Sequence, residues 1–505
     1  MRMFIRSNLP VCSTLFLFIP LALSAFTHFW NPIGFPSLYF DEGIYMRRAM
    51  HVLSGQGPQE DLTFYDHPYF GQLFLAAILG SIDYPHSIIP SYADSNLQHS
   101  IETLYLVPKV LMGILAVADT FLVYKISEYR YNRQIALISS VLFAVMPSTW
   151  LIRWILLDSI QLTLLLSSLF FAVYRRDSTN NSNAKKNIRK ILPVLLSGLF
   201  LGLAIFTKIP AFTMIPAAGL LVYTKNHKMD SKTLLGLWLT PVILIPLAWP
   251  AYSISVGGFN FWIDGVLWQV HRESQPLLDS LASFFKNDPI LLTLGIAGLS
   301  FAVIKKDFLL LSWSIPFMIF LYLIGFVSSY HLIPLLPVFC IAGAILIEDI
   351  SNKIRIKKKV QKMLLPFIIV SAIGIIGLFN TTTLVTTNVN SSYFKAAAFA
   401  DQYLQNINHN SNKTTVIADP FFLWIPQYIF QLDENYKMYF DNTPVKTQKV
   451  LLIVDHGLMH SMIRNDDAAK QLRTIYNSPN TKMLARFGES ENRDNQISIY
   501  QYESN

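Results

Sequence analysis

Apolar runs of about 20 residues recur along most of this chain, and a run of that length matches the roughly 30 Å of hydrocarbon that a membrane helix must span. Repeated so often, they point to one class of fold, a mainly α polytopic membrane protein. The charge content agrees: 14% of the 505 residues are charged and 52% are hydrophobic, whereas roughly a quarter are charged in soluble domains. A net charge of +8 would suggest a nucleic-acid partner in a soluble protein. Here Lys and Arg sit in short loops between apolar runs, where they fix orientation, so the expected surroundings are a lipid bilayer and no nucleic acid. Cys12 and Cys340 both lie in apolar runs, and no disulfide framework is expected.

Arg2 and Arg6 precede the first run, 9–30. Ala22-Leu23-Ser24 resembles a signal-peptide cleavage site, but the run continues past it, and either reading places the following loop outside the cytoplasm. That external loop, 31–103, contains one apolar piece, 69–80, too short to cross a bilayer and read as an interfacial or re-entrant helix. Further spans are expected at 104–125, 134–152, 155–174, 191–207, 209–224, 233–251, 289–304, 307–328, 331–349 and 363–383. Counted this way, the basic loops around Arg130, Arg175, Lys185, Lys225, Lys305 and Lys353 all fall inside. Had 69–80 crossed, every one of them would fall outside, against the positive-inside bias. The expectation is about eleven spans in domain 1–383, an N-terminus in the cytoplasm, and the remainder outside a cell membrane, or in the lumen of the ER in a eukaryote.

Beyond residue 383 the apolar runs shorten, and 384–505 reads as a small extracytoplasmic α/β domain. Strands are expected at 415–418, 449–454, 482–487 and 496–502, and helices at 423–430 and 466–476. Asn380, Asn390 and Asn412 head sequons on the side that would permit glycosylation, while Asn180 heads one in a loop expected inside. Asp455-His456 and His460 form a metal pair at best, without a clear third ligand, and a surface loop is the default. Gly198 and Gly202 fit a close helix contact. No Gly-rich phosphate loop is present, which argues against an ATP-driven pump.

Charged groups within spans cost about 2.5–3.5 kcal/mol each on insertion scales, so those that persist tend to face polar cavities. With the topology above, Arg153, Asp158, Lys208 and His331 sit at the outer edge of the spans. Asp41, Glu42, Asp66 and His67 of the first external loop, and His271-Arg272-Glu273 of a later one, join them on the same side. Each has a bland alternative: Arg153 and Asp158 could pair, Lys208 could snorkel, and Asp41 and Glu42 could cap a helix running through 45–53. Their common depth favours a site, where cations hold a phosphate and a carboxylate polarises a hydroxyl.

In that order and topology, Phe40-Asp41-Glu42, His67-Pro68 before a short apolar helix, Arg153 followed by Asp158, Gly202 followed by Thr207-Lys208, and a polar residue before Pro334 and Pro337 resemble the GT-C glycosyltransferases. The likeness is to the protein O-mannosyltransferase and aminoarabinose-transferase superfamily, over roughly residues 9–350. Two departures stand out. The family often has His-Pro-Pro and a later Gly-Lys where this chain reads His67-Pro68-Tyr69 and Gly71-Gln72, and it often places Arg where this chain has His331. The Trp-Trp-Asp signature typical of oligosaccharyltransferases is missing, which lowers that reading.

The resemblance implies an inverting transfer of a sugar, mannose or another hexose, from a polyprenyl-phosphate donor to a protein or glycolipid acceptor. Asp41 would be the catalytic base. Arg153, Lys208, His331 and Arg272 would bind the donor phosphate, with Asp158 in support, and Glu42, Asp66 and His67 would shape the acceptor side or hold a divalent cation. No cofactor is required, since the leaving group is already an activated phosphate ester, and the oligomeric state stays open. The competing class is a transporter or flippase of lipid-linked substrates, which calls for polar residues through the depth of the spans and for inverted repeats. A third is a non-catalytic assembly subunit.

Overall fold

The computed structural model describes residues 10–60, 65–88, 96–174, 183–225, 231–272, 275–354, 359–407, 413–439, 441, 444–445, 447–457, 470–488 and 496–503. Each of the eleven expected apolar runs is helical. The helices are α1 (Pro10–Phe29), α2 (Phe40–Leu53), α3 (Phe70–Ser81), α4 (Leu97–Arg130), α5 (Arg133–Val145), α6 (Leu157–Val173), α7 (Asn183–Thr207), α8 (Ile215–Lys225), α9 (Ser231–Leu244) and α10 (Ala248–Ser255). They continue with α11 (Phe259–Val270), α12 (Leu277–Asn287), α13 (Pro289–Lys305), α14 (Phe308–Ile324), α15 (Leu336–Lys353) and α16 (Lys359–Val385). The short piece expected at 69–80 is the 12-residue α3.

By length and apolar composition four helical stretches are long enough to cross a membrane among the described residues, and a fifth joins them if α5 and the following 3₁₀ turn, bent by 69°, count as one. Several expected spans are broken for a local reason. Pro147, Pro210 and Pro334 each lie in a 3₁₀ turn, at Pro147–Arg153, Ile209–Met214 and Ser329–Leu335, because proline removes a backbone donor and crowds the preceding turn. These three breaks present Arg153, Lys208 and His331 at or beside helix ends rather than along helix faces. The first and third pack on each other.

Polar residues start the helices that flank the breaks. Asn132 accepts from the amides of Gln134 and Ile135 at the start of α5, both at 2.9 Å. Asp288 accepts from Leu291 N at 2.9 Å to begin α13 and from Ser148 N at 3.0 Å, tying that helix to the first break. The small-residue contact is present: a Cβ on Gly198 would lie 2.3 Å from the carbonyl oxygen of Trp238, and one on Gly202 2.4 Å from that of Pro241. So α7 and α9 meet backbone to backbone.

After α16, helix α17 (Ser391–Ile407) leads into a five-stranded sheet of order β2-β1-β3-β5-β4, with β1 (Thr414–Ala418), β2 (Asn435–Met438), β3 (Lys449–Asp455), β4 (Thr481–Phe487) and β5 (Ile497–Glu503). The pairs β1–β2 and β1–β3 are parallel, and β3–β5 and β4–β5 antiparallel. Period-two alternation sorts the buried strands: Val416, Leu451, Ile453, Ile497 and Ile499 join the core shared with the membrane helices, whereas Ile417, Val450, Leu452, Val454 and Tyr500 build a separate cluster on the other face. The four expected strands are present; β2, a four-residue edge strand, carries no alternation that would reveal it. The expected helix at 423–430 begins earlier, as α18 (Pro420–Trp424), and runs on as a π turn to Ile429. Of that expected at 466–476, the described part is α19 (Lys470–Tyr476), its start lying outside the described residues. The expected division at 383/384 falls just before the end of α16.

Candidate active site

Asp41 is the second residue of α2, in the first turn, where the unpaired amides of a helix start favour a negative charge. Among the described residues no hydrogen bond or ion pair engages its carboxylate, and it is partly accessible. Burial pushes this carboxyl up to about 6, against the pull of Lys208 and Arg272, with Asp158 and Asp66 pushing in the same direction as burial. The free carboxylate therefore shares one electrostatic neighbourhood with the two cations named from the sequence.

Lys208 lies between α7 and the second 3₁₀ turn in an extended conformation. Its Nζ binds Asp158 Oδ2 at 2.7 Å and stands 4.9 Å from the centre of the Tyr330 ring. The sequence offered Arg153 as a partner for Asp158; the structure gives it Lys208. Arg272 is half-buried, its guanidinium 4.4 Å from the Trp268 ring centre and 4.9 Å from that of Phe326. The Nδ1 of His331 accepts from Ser328 N at 2.9 Å, which places the proton of a neutral ring on Nε2. His331 shares the electrostatic field of Lys208, Arg272 and His67.

On the α2 side, Arg48 Nη1 binds Asp66 Oδ1 at 2.9 Å. Burial raises the Asp66 carboxyl, but Arg48 outweighs it and holds the group below the usual range. Burial pushes the half-buried His67 imidazole down to about 3 despite the neighbouring Asp66, so this ring is neutral at physiological pH. Tyr39, against Trp154 at 4.9 Å and Tyr330 at 5.4 Å between ring centres, closes the wall beside Asp41.

Two further residues named from the sequence hold other elements together. Glu42 is 1% exposed and ion-paired with Lys109 through Oε1. The same oxygen accepts from Ile155 N at 2.8 Å, while Oε2 accepts from Tyr39 N at 2.9 Å. These three bonds tie α2 to α4 and to the residues after the first break and hold the start of α2 itself. Arg153, 2% exposed, donates through Nη2 to the carbonyls of Trp30 at 2.6 Å and Asn31 at 3.1 Å and lies over Phe35, while its Nε and Nη1 are buried without a hydrogen-bond partner among the described residues. Lys109 and Arg48 were not foreseen; a lysine in the middle of a charge-poor run is the signal that would have flagged the first. Glu273 and His460 lie outside the described residues. The carboxylate of Asp455 accepts from Tyr393 Oη at 2.6 Å and Gly457 N at 2.9 Å, and His456 Nε2 meets Ser498 Oγ at 2.9 Å, so both are engaged within the protein.

Residues 18–257 match the family model of dolichyl-phosphate-mannose-protein mannosyltransferases, a little under half of the chain. Asp41, Asp66, His67, Asp158 and Lys208 fall within the match; Arg272 and His331 lie beyond it. No curated protein sequence matches. Among solved structures, the fold is similar to that of ArnT from Cupriavidus metallidurans bound to undecaprenyl phosphate, at 11% identity and a TM-score of 0.59, covering 97% of both chains. It is also similar to the oligosaccharyltransferase AglB from Archaeoglobus fulgidus in complex with an inhibitory peptide and a dolichol-phosphate, at 12% identity and a TM-score of 0.55, covering 89% of this chain and 70% of that one. The likeness to an oligosaccharyltransferase concerns the fold and does not restore the missing Trp-Trp-Asp signature. The first half of the chain is thus similar to the mannosyltransferase family, and nearly its whole length has the fold of polytopic GT-C glycosyltransferases.

Proposed function

We propose that the enzyme transfers a sugar from a polyprenyl-phosphate donor to a hydroxyl of a protein or glycolipid on the extracytoplasmic side, with inversion at the anomeric carbon. The observation that carries this reading is the unengaged Asp41 carboxylate within the electrostatic reach of Lys208 and Arg272. The acceptor oxygen attacks C1 from the face opposite the phosphate; the new O–C1 bond forms as the C1–O(phosphate) bond breaks. Asp41 takes the acceptor proton, and the departing phosphate carries the electron pair and a second negative charge. Lys208, released from Asp158 toward the donor, and Arg272, held by its two rings, meet that growing charge. His331, whose Nδ1 is taken by Ser328 N, offers Nε2–H to a phosphate oxygen, and neutral His67 borders the acceptor side.

The chemistry proceeds without a resident cofactor, because the leaving group is already activated. The acceptor-side candidates for a divalent cation reduce to Asp66 and His67, and Asp66 is occupied by Arg48. Orientation follows from the basic loops: they face the cytoplasm, and the site and the sheet domain face away from it.

The test is transfer from a radiolabelled polyprenyl-phosphate sugar in membranes containing the full-length protein. Asp41→Asn should lose about 100-fold or more in turnover, the usual contribution of a positioned base. Near wild-type turnover at normal expression would sink the assignment. Lys208→Ala should raise the donor KM, and an unchanged donor KM would remove it from the phosphate site.

A further inference from the structure

The sheet domain reaches the helix that carries Asp41. A Cβ on Gly43, two residues from Asp41, would lie 2.3 Å from Phe421 N, 2.5 Å from the carbonyl carbon of Pro420 and 2.9 Å from Phe421 Cα. These are backbone atoms of α18, which cannot swing aside as a side chain could. Helix α18 follows directly from β1: Asp419, at the carboxyl end of that strand, accepts from Phe421 N at 2.8 Å and starts it. One turn apart on α4, Tyr105 and Lys109 hold the two partners: Trp424 Nε1 of α18 donates to Tyr105 Oη at 2.6 Å, and Lys109 pairs with Glu42 of α2. At the far end of α2 the sheet domain makes a second contact, with His51 Nδ1 3.1 Å from Tyr428 Oη.

We propose that the C-terminal domain is a positioning element of the transfer site: it clamps α2 at Gly43 and at His51, and Gly43 is the positioning residue that lets α18 seat closely enough to fix Asp41 in place. This rests on the reading of Asp41 as the base. The donor cations Lys208 and Arg272 lie on other elements, so the clamp acts on the base and the acceptor rather than on donor binding.

The experiment compares Gly43→Ala, Tyr428→Phe and Tyr428→Ala in the full-length protein, with Asp41→Asn as reference, measuring kcat, donor KM, the pH profile and hydrogen exchange of α2 amides. Gly43→Ala should lower kcat at least tenfold with donor KM within twofold of wild type, displace the acid limb of the pH profile and speed exchange in α2. Tyr428→Ala should do the same more weakly, with partial recovery in Tyr428→Phe, which keeps the ring. Should Gly43→Ala not accumulate, the two Tyr428 variants carry the test by the same criteria. An inactive Asp41→Asn beside wild-type kcat, pH profile and exchange in the clamp variants would overturn the clamp, as would parallel changes in kcat and donor KM. Retained turnover in Asp41→Asn would instead strike the base assignment, whatever the clamp variants do.

Discussion

Glu42 and Lys109 form a fully buried ion pair between α2 and α4, and the same carboxylate also receives the amides of Tyr39 and Ile155. A buried pair of this kind contributes little net stability compared with apolar residues of similar size, but breaking it strands a charge. Glu42→Gln should therefore destabilise the protein by about 3–5 kcal/mol. Glu42→Gln combined with Lys109→Met should recover part of that loss, read as detergent-solubilised thermal unfolding. Additive losses in the double variant would show that the two side chains act independently.

With Asp41 as the proposed base, its protonation should set the acid limb of activity. Burial pushes its carboxyl up to about 6, so kcat/KM should fall as pH drops through that value and the base becomes protonated. Removing the opposing cation with Lys208→Ala should move the limb to higher pH, and removing a like charge with Asp158→Asn should move it lower, each by on the order of one unit. A limb that stays fixed in both variants would mean that another group titrates.

The same shift has the opposite sign for stability. A carboxyl whose folded value is raised above its unfolded value of 3.8 binds more protons folded than unfolded between the two values, so its contribution to stability grows as pH falls from about 6 toward 4. At neutral pH the ionised Asp41 therefore costs stability. Asp41→Asn should then raise the unfolding temperature at pH 7, with a gain of up to about 3 kcal/mol, while lowering transfer. Equal unfolding temperatures for variant and wild type at pH 7 would show that the carboxylate is not dehydrated there.

Much of the site was legible because insertion cost sorts charges by depth. A charge kept at the end of an apolar run needs a reason, and that logic picked out Arg153, Asp158, Lys208 and His331, with Asp41 and Arg272 added from loops on the same side. It could not tell a free charge from a committed one. Glu42 follows Asp41 immediately in the chain, yet a helix turns 100° per residue, so one carboxylate faces the cations and the other faces α4. Arg153 and Lys208 likewise look equivalent in sequence, yet packing pairs Lys208 with Asp158, whereas the bend at Pro147–Arg153 turns only Nη2 of the guanidinium onto the carbonyls of Trp30 and Asn31. The docking of α18 on Gly43 joins segments nearly 380 residues apart, and no local pattern announces it. The breaks by Pro147, Pro210 and Pro334 were visible as residues, but their consequence, three side chains placed at helix ends, depends on packing.

Asn390 tests how far the sequon reading extends. Its side chain is fully buried and spans three backbone groups, with Nδ2 donating to Ile33 O at 2.7 Å and to Pro36 O at 2.8 Å and Oδ1 accepting from Leu38 N at 3.0 Å. This staples the entrance of α17 to the turn before α2, so a glycan there is incompatible with the folded protein. Asn380 is exposed and carries no such constraint. Expressed in a host that glycosylates such sequons, the protein should carry no glycan at Asn390. Asn390→Ala should cost about 2–4 kcal/mol, since three buried backbone groups lose their partner. Glycopeptide mass spectrometry finding a glycan on Asn390 of folded, active protein would contradict the staple.

Orientation can be read with two single cysteines. Lys413 lies at the start of β1 in the sheet domain and Arg133 opens α5 beside a basic loop, and both side chains are more than half exposed. The background is favourable: Cys340 is buried, and Cys12 can be replaced by Ser. The positive-inside arrangement puts Arg133 in the cytoplasm and Lys413 outside. In intact cells, Lys413→Cys should react with a membrane-impermeant maleimide and Arg133→Cys should not; after permeabilisation both should react. Labelling of Arg133→Cys alone in intact cells would invert the protein. It would place Asp41 and the sheet domain in the cytoplasm and leave the acceptor to be sought there.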